Sequence, residues 1–179
     1  MSKTVSLHDG RVLSLVPPTP DDALSLIAFH ETVGGETDFL LSDEHGIPGL
    51  TESGEREYIE ATLGMANTRM WLGFVEGELV CLCDVRGEAR PRIAHNGGIG
   101  VVVKRAYWGL GVGTALMETM LAFARENEVL TRLHLDVRAD NGRAVALYRR
   151  FGFVEYGRAH RYMRVNGECF DMIQMELLL

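Results

Sequence analysis

Residues 109–114 read Gly-Leu-Gly-Val-Gly-Thr, and they stand between an apolar run at 99–103 and an apolar helical pattern that follows. Each glycine costs a helix start roughly 1 kcal/mol relative to alanine. In return, glycines let the chain turn sharply and let a ligand approach the backbone. The free N–H groups and dipole of the coming helix then face an anion. Two phosphate-binding patterns fail here: a dinucleotide fingerprint needs a glycine where Thr114 stands, and a Gly-Lys-Ser/Thr loop needs a lysine that is absent. A turn that merely packs a helix on a sheet is the plain alternative.

A second group lies downstream. Asn141, Ala144, Tyr148, Gly152 and Phe153 follow an alternating strand pattern at 133–137. Asn141 suits a helix cap, Tyr148 suits either packing or proton donation, and Gly152 suits a left-handed helix stop. Taken with the glycine segment, this order resembles the GCN5-related N-acetyltransferases (GNAT family). Their motif, Gln/Arg-x-x-Gly-x-Gly/Ala, is matched by Trp108-Gly109-Leu110-Gly111-Val112-Gly113, and residues 134–157 are similar to the second half of the signature.

The resemblance implies a single-domain α/β (α+β) GNAT fold over residues 1–179, a mixed central sheet splayed around an acetyl-CoA site with flanking helices. It implies that the backbone of Trp108, Gly109, Leu110, Gly111, Val112, Gly113 and Thr114 seats the pyrophosphate of acetyl-CoA. The pantetheine arm would pair with Val101, Val102 and Val103 like an added strand, with Asn141 touching the same arm. An N–H near Val101 would steady the oxyanion, and Tyr148 would protonate the departing thiolate.

Two positions depart from the family. Trp108 replaces the usual Gln or Arg, which leaves the anion to the backbone amides with help from Lys104 and Arg105. The strand before the loop carries no glutamate to act as general base. An ammonium with pKa near 10.4 must lose a proton before it attacks a thioester. His95 on that strand and Glu31 or Glu36 in the first helical region are the candidate bases, beside a water chain with no single base. Gly98 and Gly100 within the strand suggest a bulge.

The elements that must position these groups follow from periodicity and punctuation. A first strand is expected at 11–16, a helix opening at Thr19-Pro20-Asp21-Asp22, and an aperiodic acidic stretch at 31–53. A helix at 53–66 would bury Tyr58, Ile59 and Leu63. Two strands joined at Glu76-Gly77-Glu78 follow, then a strand at 93–103, the helix after the glycines, and the strand at 133–137. Closing strands are expected at 153–157 and 170–179, with 158–171 as a loop.

Composition narrows the rest. The chain has 179 residues, a net charge of −7 and three cysteines without framework spacing. These argue for a cytoplasmic chain with reduced thiols, no metal, no membrane span and no nucleic acid partner. Cys81 and Cys83 alternate in an apolar stretch and read as core, so a covalent thiol mechanism is disfavoured. The expected function is direct acetyl transfer from acetyl-CoA to a primary amine of a small molecule or protein N-terminus. The alternative is a non-catalytic module that senses acyl-CoA. The acidic residues of 30–46 favour a cationic acceptor and the basic residues of 158–171 one with a carboxylate. The apolar final strand suggests pairing across a homodimer.

Overall fold

The computed structural model describes residues 2–179. β1 (Lys3–Ser6) and β2 (Val12–Val16) form an antiparallel hairpin. Pro17 and Pro18 then remove the donors a longer strand would need. Thr19 donates from its N–H and its hydroxyl to Asp22 Oδ2 (2.7 and 2.9 Å), and Asp22 N donates back to Thr19 O (2.9 Å), which closes the 3-10 turn that leads into α1 (Ala23–Glu36). The helix therefore continues past the point where periodicity fades at Glu31. Thr51 caps α2 (Glu52–Gly64), accepting from Gly54 N at 3.1 Å. Its inner face is Glu55, Ile59 and Thr62, whereas Tyr58 and Leu63 are exposed, so the helix is rotated from the expected face.

β3 (Arg69–Val75) and β4 (Glu78–Gly87) close on Glu76 and Gly77, both with positive φ, the two-residue turn that matches strand twist. β5 (Asn96–Val103) starts later than expected, because Asn96 N donates to Ile93 O and winds the preceding residues into a turn. After it come α3 (Val112–Glu126), β6 (Arg132–Arg138), α4 (Gly142–Arg150), β7 (Val154–Val165) and β8 (Glu168–Leu178). The expected loop at 158–171 is instead a hairpin turning at Asn166-Gly167.

The eight strands form one mixed sheet in the order β1-β2-β3-β4-β5-β6-β8-β7. β8 is bonded on one edge to β6 and on the other to β7, which overturns the expectation that the final strand pairs across a dimer. Along β4, Cys81, Cys83 and Val85 join the core under α3 and α4, while Leu82 joins the core under α1 and α2. That alternation sends Asp84 to the α1–α2 face. β5 alternates likewise, with Ile99, Val101 and Val103 on the α3–α4 side and Val102 on the other.

One feature of the sheet decides where a ligand fits. β5 pairs with β4 without interruption from Val103 to Gly97, so no bulge sits at Gly98 or Gly100, contrary to expectation. With β6, its parallel neighbour, it pairs only at Asn96, Gly97 and Gly98. From Ile99 onward the two strands part, leaving a row of β5 backbone groups open to an added strand.

Candidate active site

A cavity of about 670 Å³ runs through the gap where β5 and β6 part. Its α3–α4 side is formed by Trp108, Gly109, Gly113, Asn141, Leu147 and Tyr148. Its α1 side is formed by His30, Thr37, Phe39, Leu40 and Arg86, with Gly100, Val101, Val102 and Val103 along the wall between. The cavity therefore reaches both faces of the sheet.

At the α3 end the sequence leaves backbone donors free. Gly109 (φ 79°) and Gly111 (φ 91°) lie in the left-handed region that side-chain-bearing residues avoid. The first helical bond of α3 is Ala115 N to Gly111 O (3.1 Å), so the amides of Val112, Gly113 and Thr114 have no partner within the helix. His8 holds this loop in place: its N–H donates to Leu110 O (3.1 Å) and its Nδ1 lies 3.2 Å from Gly109 O. Val112 is buried, Leu110 packs on the core, and the Thr114 hydroxyl accepts from Arg150, so these three support the loop without lining the cavity, and Gly111, crowded by His8, does not line it either.

Trp108 lines the cavity and donates from Nε1 to Val103 O (2.8 Å), tying the loop to the end of β5. Its indole carries the Arg143 guanidinium 3.9 Å from the ring centroid, with Arg105 at 6.0 Å. Arg143 from α4 thus brings positive charge to the place where the lead residue of the motif is aromatic. Lys104 is ion-paired to Glu78 (2.8 Å), and the Glu36 carboxylate accepts from Arg105 N (2.7 Å). Neither Lys104 nor Glu36 lines the cavity.

Asn141 caps α4, accepting from Ala144 N (3.2 Å), and lines the cavity. Tyr148 is 9% exposed, and its ring packs 6.1 Å from that of Phe153. Burial pushes its phenol up to about 12, so it carries its proton at neutral pH. It faces the same cavity as Val101–Val103 of β5, across the gap.

The acceptor side differs from the sequence expectation. His95 is exposed in the turn before β5 and Glu31 is exposed on α1, and neither lines the cavity. The immediate neighbour of Glu31, His30, does. The acidic side chains of 30–46 and the basic ones of 158–171 stay out of the cavity wall. Its charged groups are Arg86, Asp136, Arg138 and Arg143. Arg138 grips Asp140 through two bonds (2.7 and 2.8 Å) and donates to Asp38 O (2.7 Å). Its guanidinium also lies over Phe39 (4.5 Å) and Phe170 (4.0 Å), which pins the covering segment after α1 to β6. These residues carried a readable signal: Asp84 and Arg86 interrupt an apolar strand, and buried charge is costly unless used or paired.

A model described as "Acetyltransferase (GNAT) family" matches residues 38–153. An L-amino acid N-acetyltransferase of Escherichia coli is 30% identical over 101 residues, 56% of this chain and 62% of its own length. The N-alpha-acetyltransferase RimI of Mycobacterium tuberculosis is 46% identical over 65 residues, 36% of this chain and 39% of its own. The alignments thus span less than two thirds of these relatives. A solved GNAT-family acetyltransferase from Streptococcus pneumoniae superposes with a TM-score of 0.89 at 31% identity, covering 93% of this chain and 99% of that one.

Proposed function

The chain belongs to the GNAT family of acetyltransferases, and from that premise we propose that it moves the acetyl group of acetyl-CoA directly to a primary amine of a small molecule or a protein N-terminus. The observation that carries the reading is the gap after Gly98. One cavity there joins the glycine loop and Tyr148 on one face of the sheet to His30 and Arg86 on the other. Donor and acceptor can meet in it from opposite faces.

In this proposal the amides of residues 109–114 hold the pyrophosphate, and the open edge of Val101, Val102 and Val103 pairs with the pantetheine arm. Asn141 supports that arm, and the Val101 N–H polarises the thioester carbonyl. Tyr148, a neutral phenol at the cavity wall, gives its proton to the departing thiolate. Arg86 and Asp136 offer one cation and one anion on the acceptor side, the pairing an amino acid carries on neighbouring atoms. The likeness to an L-amino acid N-acetyltransferase of E. coli supports the same acceptor class. A cytoplasmic setting is part of the proposal, supported by three cysteines that form no disulfide.

No carboxylate of β5 faces the acceptor side, which keeps a non-catalytic acyl-CoA sensor as the second reading. Calorimetric titration with acetyl-CoA, followed by thiol release with amino acids, polyamines and N-terminal peptides, separates the two. Tight binding that Gly111→Glu abolishes, with amine-dependent thiol release, is expected of the enzyme. Binding without release with any amine identifies the sensor.

A further inference from the structure

β5 presents bare backbone on the face turned to α1 and α2, since Gly98 and Gly100 share that face with Val102. The space at Gly100 is taken by the neighbouring strand. A Cβ there would stand 2.6 Å from Asp84 Oδ1 and 3.1 Å from Arg86 Nη1. Asp84 is 5% exposed. Its Oδ2 accepts from Arg86 Nη1, while its Oδ1 faces the Gly100 backbone without a well-aligned hydrogen bond among the described residues. A buried carboxylate held directly behind Gly100 and Arg86, both of which line the cavity, marks a use beyond packing.

His30 comes to the same cavity from α1. Its ring lines the cavity, sits edge-on to Phe29 at 6.0 Å, and is tied by no hydrogen bond among the described residues. The two groups act on each other through space. Burial holds the imidazole below its ordinary range, leaving it neutral and able to accept a proton, while Asp84 pulls the other way. Burial raises the Asp84 carboxyl, against the pull of Arg86, of the Gly100 backbone N–H and of His30. The other charged or titratable groups around the pair are Tyr58 on α2, 41% exposed yet desolvated enough, with Asp84 near, to raise its phenol, and Asp136 and Arg138 across the cavity on β6.

We propose that His30 is the proton acceptor for the incoming ammonium, with Asp84 as the positioning residue that stabilises the imidazolium so formed. This rests on the acetyl-transfer reading. The ammonium gives one N–H proton to the neutral imidazole, and the freed lone pair forms the C–N bond at the thioester carbonyl. Collapse breaks the C–S bond with its electron pair on sulfur. The second nitrogen proton ends on that sulfur, relayed through Tyr148, and the imidazolium returns its proton to water. The carboxylate missing from β5 is thereby replaced by an imidazole from α1 and a carboxylate from β4.

Two measurements on the full chain test this. Ring-proton NMR of the unmutated protein should show His30 neutral at pH 7, and Asp84→Asn should lower its titration midpoint further. A His30 already protonated at pH 7 overturns the proposal without any variant. In kinetics with the accepted amine, His30→Gln should lose about 100-fold in kcat/KM and the acid-limb bend that belongs to His30. Its acetyl-CoA affinity and melting temperature should stay unchanged, and added imidazole should restore part of the rate to His30→Ala. Activity within about threefold of wild type and an unaltered acid limb would overturn it. That outcome, in a chain that still acetylates an amine, leaves the functional reading standing. A wild-type chain that neither binds acetyl-CoA nor transfers acetyl overturns both.

Discussion

Tyr148 and Asp140 show how environment sets what a side chain does. The Tyr148 phenol keeps its proton across the working range because burial raises it to about 12. A thiol with pKa near 8.5 leaves with little acid help, so Tyr148→Phe should lower kcat only about tenfold, with acetyl-CoA affinity unchanged by calorimetry. Asp140 runs the other way: hydrogen bonds from Arg138 hold its carboxyl below the usual range. A depressed folded pKa gives stability that is fully present above the unfolded value of about 3.9 and is lost as pH falls through the folded value. Asp140 is 48% exposed, which screens the pair. Asp140→Asn should therefore cost about 1 kcal/mol in urea unfolding at pH 7, a deficit that shrinks below about pH 4. At this scale the sequence pointed to Tyr148, Asn141 and the glycines because motif spacing exposes them. It did not show which α1 side chain lines the cavity, His30 rather than Glu31, since that depends on helix rotation and a weakly amphipathic α1 does not reveal it.

Elements convert those residues into a site. Gly109 and Gly111 both carry positive φ, but only Gly111 is also crowded, with His8 Nε2 3.0 Å from the place a Cβ would take. His8 is itself engaged with the loop through Gly109 O and Leu110 O and cannot simply retreat. Gly109→Ala should cost backbone strain of roughly 1–2 kcal/mol, while Gly111→Ala adds displacement of His8. Calorimetry should find acetyl-CoA weakened by both, and more by Gly111→Ala. Equal affinities would remove the loop geometry from the account. Strand and helix identities in the second half of the chain were legible because apolar alternation and glycine stops agree there. The β7–β8 hairpin was not read, although Asn166-Gly167 is the turn dipeptide that hairpins favour. Its flanking residues are mostly polar on both faces, so no alternation marked them as strand.

Across the whole molecule, the decisive feature is the parting of β5 from β6 after Gly98, with the glycine loop on one face and His30, Asp84 and Arg86 on the other. Propensity could indicate a parallel pair here, but not where it stops, because the register of two strands joined through a helix is not a local property of either. The most direct test of the central claim is amine-dependent thiol release from acetyl-CoA, with the acetylated amine identified by mass spectrometry. Thiol released in equal amount to an N-acetylated product, for at least one amine in a panel of amino acids, polyamines and peptide N-termini, is the predicted result. Release no faster than acetyl-CoA hydrolysis with every amine, from a protein that binds acetyl-CoA, would contradict it.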